Sequence, residues 1–403
     1  MDLDYGLIDA DNHYYEAEDA FTRHGDDEVR RFVRWLSEGK RRRLLFGDVM
    51  QTMVPNPTFD PITRPGAFHR RLKDLSAGGA RAAVDQGSSA SYGQLEPLPA
   101  YYRDRDARLA VMDEQGVERA LLFPTLAVGV EGLNPQDPRM TYKLFRSFNA
   151  WLAEEWGFAH RDRLYSVPAI PVLDPEMAAA ELDVVLEQGA RMVVLRPGPA
   201  NGRSPADPSW DPFWARLQEA DVPVAYHAYG GADRYDDAFE LLWQRDGVVD
   251  PAYERNLKMA LVGDRPVLDT ALALVLGNVF GRFPGLRVLS VELGCAWVPY
   301  CLHTLDHAGG LLDRHITAYG VTVDERPSDI FRRHVWVSPF PEEDIAGLTR
   351  LLGADRVLFG SDWPHAEGTE EPADFAGYLE DLPAADTRMI LRDNALALLS
   401  PSR

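Results

Sequence analysis

Leu7-Ile8-Asp9-Ala10-Asp11-Asn12-His13 is the stretch on which the fold turns. A short aliphatic run ends in carboxylates and an imidazole, without a glycine. A dinucleotide-binding sheet would open here on a glycine-rich turn that lets the backbone approach a pyrophosphate, so that fold is excluded. Seven further short apolar runs follow: Arg119 to Phe123, Tyr165 to Ile170, Ala190 to Leu195, Val222 to His227, Leu286 to Glu292, Val335 to Ser338 and Arg356 to Ser361. Helical patterns separate most of them. Residues Leu144, Phe145, Phe148, Trp151, Leu152 and Trp156 recur on one helical face. Asp174-Pro175 and Asp211-Pro212 each read as a capping carboxylate followed by proline at the first helical position. Eight strands alternating with helices predict an α/β fold, a (β/α)8 TIM barrel.

The chain has 403 residues, against about 250 for a typical barrel. Two stretches hold most of the excess: residues 17–108 after the first strand and 228–263 after the fifth. Both follow strand C-termini, so both are expected to overhang the active face of one barrel spanning 1–403, the longer as a lid. Apolar residues at 45% and charged residues at 26% exclude bulk disorder. With 42 Lys plus Arg against 63 Asp plus Glu the formal charge is 42 − 63 = −21, which argues against a nucleic-acid surface. Two cysteines, Cys295 and Cys301, cannot build a disulfide framework or a four-cysteine zinc site. The acidic start lacks a signal-peptide pattern, and the longest apolar stretch, Val267 to Gly281, is too short to span a bilayer and carries Asp269. A cytoplasmic protein acting on a small molecule, with no membrane or nucleic-acid partner, is the expectation.

Polar side chains at barrel strand ends converge on one spot. Here they are Asp11 and His13, His227, Glu292, and Ser361-Asp362. Asp11 and His13 stand two apart on an extended segment and share a face. Two imidazoles and two or three carboxylates from four strands make a candidate divalent-metal cage. Glu16 reads as a helix-start carboxylate or salt-bridge partner, with a ligand as the alternative, and Lys40-Arg41-Arg42-Arg43 as a solvated helix end, with a lid cation as the alternative. His24, His69, His160 and His303 carry no placement argument.

With LIDADNH at the start, AYHAYG in the middle, then LSVELGCAWVP, LFGSDWPHAEG and a closing RMILRDNALALL, the chain resembles the amidohydrolase superfamily. Within it, the likeness is to the amidohydrolase-related group that includes aminocarboxymuconate-semialdehyde decarboxylase. The resemblance runs from residue 7 to about 399 and implies that His13, His227 and Asp362 are metal ligands. The usual first-strand motif there is His-x-His. If His13 is its first histidine, Tyr15 takes the second position; if His13 is the second, Asp11 takes the first and remains a ligand, the preferred alignment. Glu292 stands where the group commonly has a histidine acting as acid/base or ligand. Arg196 stands where two-metal members carry a modified lysine, so a single divalent ion is expected, zinc first, with manganese and ferrous iron as alternatives.

Two chemistries fit these residues. In hydrolysis, a metal-activated water attacks a C–N or C–O carbonyl, Asp362 takes and returns the proton, and Glu292 orients the water or protonates the leaving group, with His227 completing the set. In the alternative, non-oxidative decarboxylation, the metal chelates a substrate carboxylate and Glu292, Asp362 or a nearby histidine protonates the carbon. Hydrolysis is the first expectation, decarboxylation the second, and a barrel that binds without turnover the third. Arg196 is a candidate fork for a substrate carboxylate, with a structural salt bridge as its other reading. His365 is assigned to substrate contact or to holding the strand-eight loop, and a homodimer is a weaker expectation.

Overall fold

The computed structural model describes residues 3–39, 41–67, 95–133, 136–228, 235, 258, 260–311 and 325–400. Its barrel is built from two parallel sheets. One runs β1 (Leu7–Tyr14), β7 (Val117–Pro124), β8 (Leu164–Ser166); the other runs β9 (Val193–Leu195), β10 (Val224–His227), β11 (Val288–Val291), β12 (Val335–Val337). Two seams close the ring. At the first, Ala169 bridges Val194 and Ile170 N–H donates to Val194 O at 3.0 Å. At the second, residues 357–363 lie between β12 and β1. Leu358 N–H donates to Val337 O, Ala10 N–H to Phe359 O, and Asp362 N–H to Asp11 O at 2.8 Å.

Eight staves result, in the predicted order, but the third and eighth are less regular than the apolar runs imply. Pro168 has no N–H to give a ladder. In the eighth stave, Phe359 N–H donates to Ile390 O and Asn394 Nδ2 to Val357 O, so part of its backbone bonds the closing helix. Gly360 is needed there: a Cβ would stand 2.5 Å from Asp11 Cβ and 2.6 Å from Ser338 Oγ. The core includes the interior and the helix faces against it, with Phe145, Phe148, Trp151 and Leu152 of helix Pro138–Glu155 all buried.

Asp174 caps its helix as expected, accepting from Glu176 N–H and Met177 N–H. Asp211 does not. The preceding turn, Pro208–Trp210, is capped by Asp207, the helix continues directly from it, and Asp211 instead takes Arg282 at 2.6 Å.

Of the first insertion the described part holds helix Asp27–Phe32, an antiparallel sheet of β2 (Val33–Glu38), β3 (Arg41–Phe46) and β4 (Val49–Met50), and a small pair, β5 (Ile62–Thr63) with β6 (Leu95–Glu96). The sheet docks through Phe46 on Phe21, and Phe21 stacks on Phe148 at 5.1 Å. Arg41 to Arg43 of the basic run therefore lie in a strand, not at a helix end. Arg42 pairs with Glu18 and lies 4.7 Å over Trp35, and Arg43 pairs with Glu38. A run of like charge carries no period of its own, and its cross-strand partners decided its conformation. Lys40, His69 and most of 228–263 fall outside the described residues.

Candidate metal centre

β1 carries the first two candidates. All eight of its residues are buried, and its register against β7 slips between Asp9 and Asn12, a bulge that re-aims the following side chains. Asp11, His13, His227 and Glu292 each bring one donor atom into a group whose members lie within 4.8 Å of one another. His227 Nε2 stands 3.4 Å from Asp11 Oδ1 and 3.1 Å from Glu292 Oε2. His13 Nε2 stands 3.3 Å from Asp11 Oδ1, 3.6 Å from Glu292 Oε2 and 3.3 Å from Asp362 Oδ1. His13, Glu292, Asp362 and His365 form a second, overlapping group. The structure thus brings together all five predicted residues, with Glu292 in the compact set and Asp362 joined to it through His13.

The side chains of His13, Asp11 and His227 are at most 4% exposed, whereas those of Glu292 and Asp362 are 19% and 14% exposed. Imidazoles and Asp11 make the floor, and the other two carboxylates stand at the mouth. Both mouth residues hold a left-handed backbone, φ 54° at Glu292 and 53° at Asp362. That conformation costs a non-glycine residue and concentrates at functional positions.

A divalent cation fits this floor. Asp11 Oδ1, His13 Nε2 and His227 Nε2 are buried without a hydrogen-bond partner, which is costly unless something else satisfies them. His227 Nδ1 faces Ala228 O at 2.9 Å; a carbonyl only accepts, so the proton sits on Nδ1 and the Nε2 lone pair points into the cluster. The local field also favours positive charge. Burial and His365 push the His13 imidazole down, yet Asp11 and Glu292 outweigh them and raise it to about 9. Burial opposes ionisation of Asp11, but His13 and His227 hold its carboxyl well below the usual range.

Asp362 is different. Burial, then the neighbouring Glu292, pushes its carboxyl well above the usual range. Its Oδ1 meets His365 Nδ1 at 2.6 Å. On the far side of that ring, Nε2 meets Thr125 Oγ1 at 2.9 Å, and Thr125 gives its own hydrogen to Tyr14 O. His365 Nε2 must then be the donor, and a proton lies between Nδ1 and Asp362. Of the two readings of His365, this is the one that holds the strand-eight loop.

Asp9 accepts from Asp11 N–H, Ser361 N–H, Asn12 Nδ2 and Ser361 Oγ, and is pushed up to about 6 by burial against those bonds. It has no lone pair left for an ion. Arg196 Nε faces the buried Glu131 at 3.6 Å, the geometry of the structural salt bridge. Glu16 accepts from Leu126 N–H at 2.7 Å and Ala127 N–H at 3.1 Å, so it caps the turn Ala127–Gly129. Glu16→Ala is expected to destabilise the protein by about 1–3 kcal/mol in urea unfolding, leaving two buried N–H groups unpaired. Glu16→Gln should cost far less, and neither should lower metal content; a loss of metal at full stability would bring Glu16 into the site.

Sequence reasoning missed Thr125, Glu131 and the buried Arg108. For Arg108 a signal existed: it shares the buried face of helix Arg105–Gln115 with Leu109 and Met112.

A closed parallel barrel with a buried His/carboxylate cluster at its strand ends defines a class, the TIM-barrel enzymes with a metal site. The chain belongs to the amidohydrolase family, whose profile matches residues 8–400. A crystal structure of an amidohydrolase from Mycobacterium avium subsp. paratuberculosis K-10 is 40% identical, covers 99% of both chains and superposes with a TM-score of 0.86. Gamma-resorcylate decarboxylase of Rhodococcus jostii RHA1 is 26% identical over 311 residues, 74% of this chain and 88% of that protein. Dihydroxybenzoic acid decarboxylase from Polaromonas sp. JS666, solved with manganese and the inhibitor 2-nitroresorcinol, shares the fold at 20% identity and a TM-score of 0.56, over 98% of this chain and 97% of that one. Among the described residues no helix is long and apolar enough to cross a membrane.

Proposed function

We propose that the chain is a metal-dependent, non-oxidative decarboxylase of a hydroxylated aromatic carboxylate. The observation that carries this reading is Asp362, a proton-holding carboxyl at the mouth of the donor cluster, backed by His365. Removing carbon dioxide from a ring requires a proton for the carbon, and a carboxyl kept protonated beside an electrophilic site suits that task. The decarboxylases among the relatives support the same choice over hydrolysis.

Asp11, His13, His227 and Glu292 would hold one divalent ion, with the protonated Asp362 beside it as the acid rather than a ligand. The Polaromonas protein's manganese supports manganese rather than zinc. When bound, the ion supplies Lewis-acid neutralisation of the substrate's carboxylate and adjoining hydroxyl oxygen. Asp362 gives its proton to the ring carbon bearing the carboxylate. The carbon–carbon bond then breaks, its electron pair restores the aromatic ring, and carbon dioxide leaves. His365, fixed by Thr125, keeps Asp362 aimed. We assign Arg196 to the pair with Glu131 rather than to the substrate. From the first insertion Phe59 supplies part of a wall: it stacks on Tyr15 at 4.5 Å, and Tyr15 lies 5.9 Å from His365.

The test is a substrate panel on the manganese-loaded protein: 2,6-dihydroxybenzoate and 5-carboxyvanillate beside aryl amides, esters and lactones. Carbon dioxide release from a hydroxybenzoate, without cleavage of the amides and esters, is the expected result. Cleavage of amides or esters without carbon dioxide release would return the chain to the hydrolytic reading.

A further inference from the structure

We infer that Arg108 is a positioning residue which, through Asn12, Asp9 and Ser361, ties the first-strand and eighth-strand ligand segments into one unit. The inference rests on the reading of the donor cluster as a divalent-metal site.

Arg108 is 1% exposed and comes from helix Arg105–Gln115, whose first turn ends the first insertion. Its guanidinium reaches both segments. Nη2 donates to His13 O at 2.8 Å, Nη1 to Asn12 Oδ1 at 2.6 Å and Nε to Tyr101 O at 2.8 Å. Its plane lies 4.6 Å over the ring of Trp363, the residue after Asp362. The fork fixes the Asn12 amide, whose Nδ2 then donates to Asp9 Oδ2 at 2.9 Å.

Asp9 carries the connection across the seam between the first and eighth staves. One of its oxygens takes Asp11 N–H at 3.1 Å and Ser361 N–H at 3.0 Å; the other takes Ser361 Oγ at 2.5 Å as well as Asn12. Ser361 Oγ in turn accepts from Trp363 N–H at 3.0 Å. The groups held are the backbone of Asp11 and His13 on one side and the residues flanking Asp362 on the other. Asp9 itself belongs to neither donor group. A buried cation and a buried carboxylate are joined by a neutral amide, so breaking any member leaves others unpaired. Groups that orient ligands from behind are worth about 10–100-fold in metal affinity.

The test measures Mn2+ affinity by chelator competition on the full-length protein, with thermal unfolding of each variant alongside. Arg108→Lys keeps the charge but loses the fork, and Ser361→Ala breaks the far end. Each is expected to weaken Mn2+ binding about 10–100-fold. The double variant should lose less than the product of the two, because either change already opens the same tie. If Arg108→Lys does not fold, Asn12→Ala takes its place in the cycle with the same expectation. Variants that melt earlier yet bind Mn2+ like wild type would overturn the inference, as would losses that simply multiply. A wild type that binds no Mn2+, Zn2+ or Fe2+ would overturn the metal reading and this inference with it.

Discussion

Asp362→Asn is expected to lower the decarboxylation rate by about 10³-fold, within the range carried by a positioned general acid, while manganese stays bound. Asparagine keeps the size of the aspartic acid and brings an amide N–H, so the contact with His365 Nδ1 has a replacement donor. It also tolerates the left-handed backbone at this position, φ 53°, better than most residues. Asp11, His13, His227 and Glu292 remain to hold the ion. What the substitution removes is the transferable proton. Single-turnover rates on the manganese-loaded variant, with its metal content determined by elemental analysis, separate the two effects. A rate within tenfold of wild type would move proton delivery to Glu292 or to water. Loss of the metal would instead make Asp362 a principal ligand.

The five central residues were legible in the sequence for a physical reason. Strand alternation and the convergence of barrel strand ends constrain where Asp11, His13, His227, Glu292 and Asp362 can point, whatever surrounds them. Their division of labour was less legible, because Glu292 and Asp362 differ through neighbours brought from other strands. His13 and His227 contact Glu292, while His365 and, through it, Thr125 hold Asp362. Arg41 to Arg43 show the same limit from the other side: their charge was plain, but Glu18, Glu38 and Trp35, which fix them in a strand, are known only from the fold. Asp211 before a proline fits the capping pattern equally well as Asp174 does, and the difference is that Arg282 lies within reach. Local pattern therefore carried the barrel and the floor of the site, whereas long-range pairing set the supports.

His227→Ala should abolish both metal and turnover, the largest loss expected of any single substitution. The imidazole is fixed before an ion arrives: Ala228 O holds Nδ1 at 2.9 Å and Phe123 stacks on the ring at 4.7 Å, so Nε2 is presented without rearrangement. Its side chain is 1% exposed, and alanine would leave a gap beside Asp11 and Glu292. Mn2+ affinity should fall by more than about 100-fold, beyond the usual cost of removing a supporting group. Chelator-stripped wild type should regain full activity on adding Mn2+, whereas stripped His227→Ala should regain none at the same concentration. Comparing the two in one experiment distinguishes a lost ligand from a lost fold, since circular dichroism of the variant should match that of metal-free wild type. If His227→Ala instead bound Mn2+ and turned over near the wild-type rate, the ion would have to lie among His13, Glu292, Asp362 and His365, the second group. That group contains the carboxyl proposed to carry the proton, so such a result would unseat the metal floor and the proton donor together.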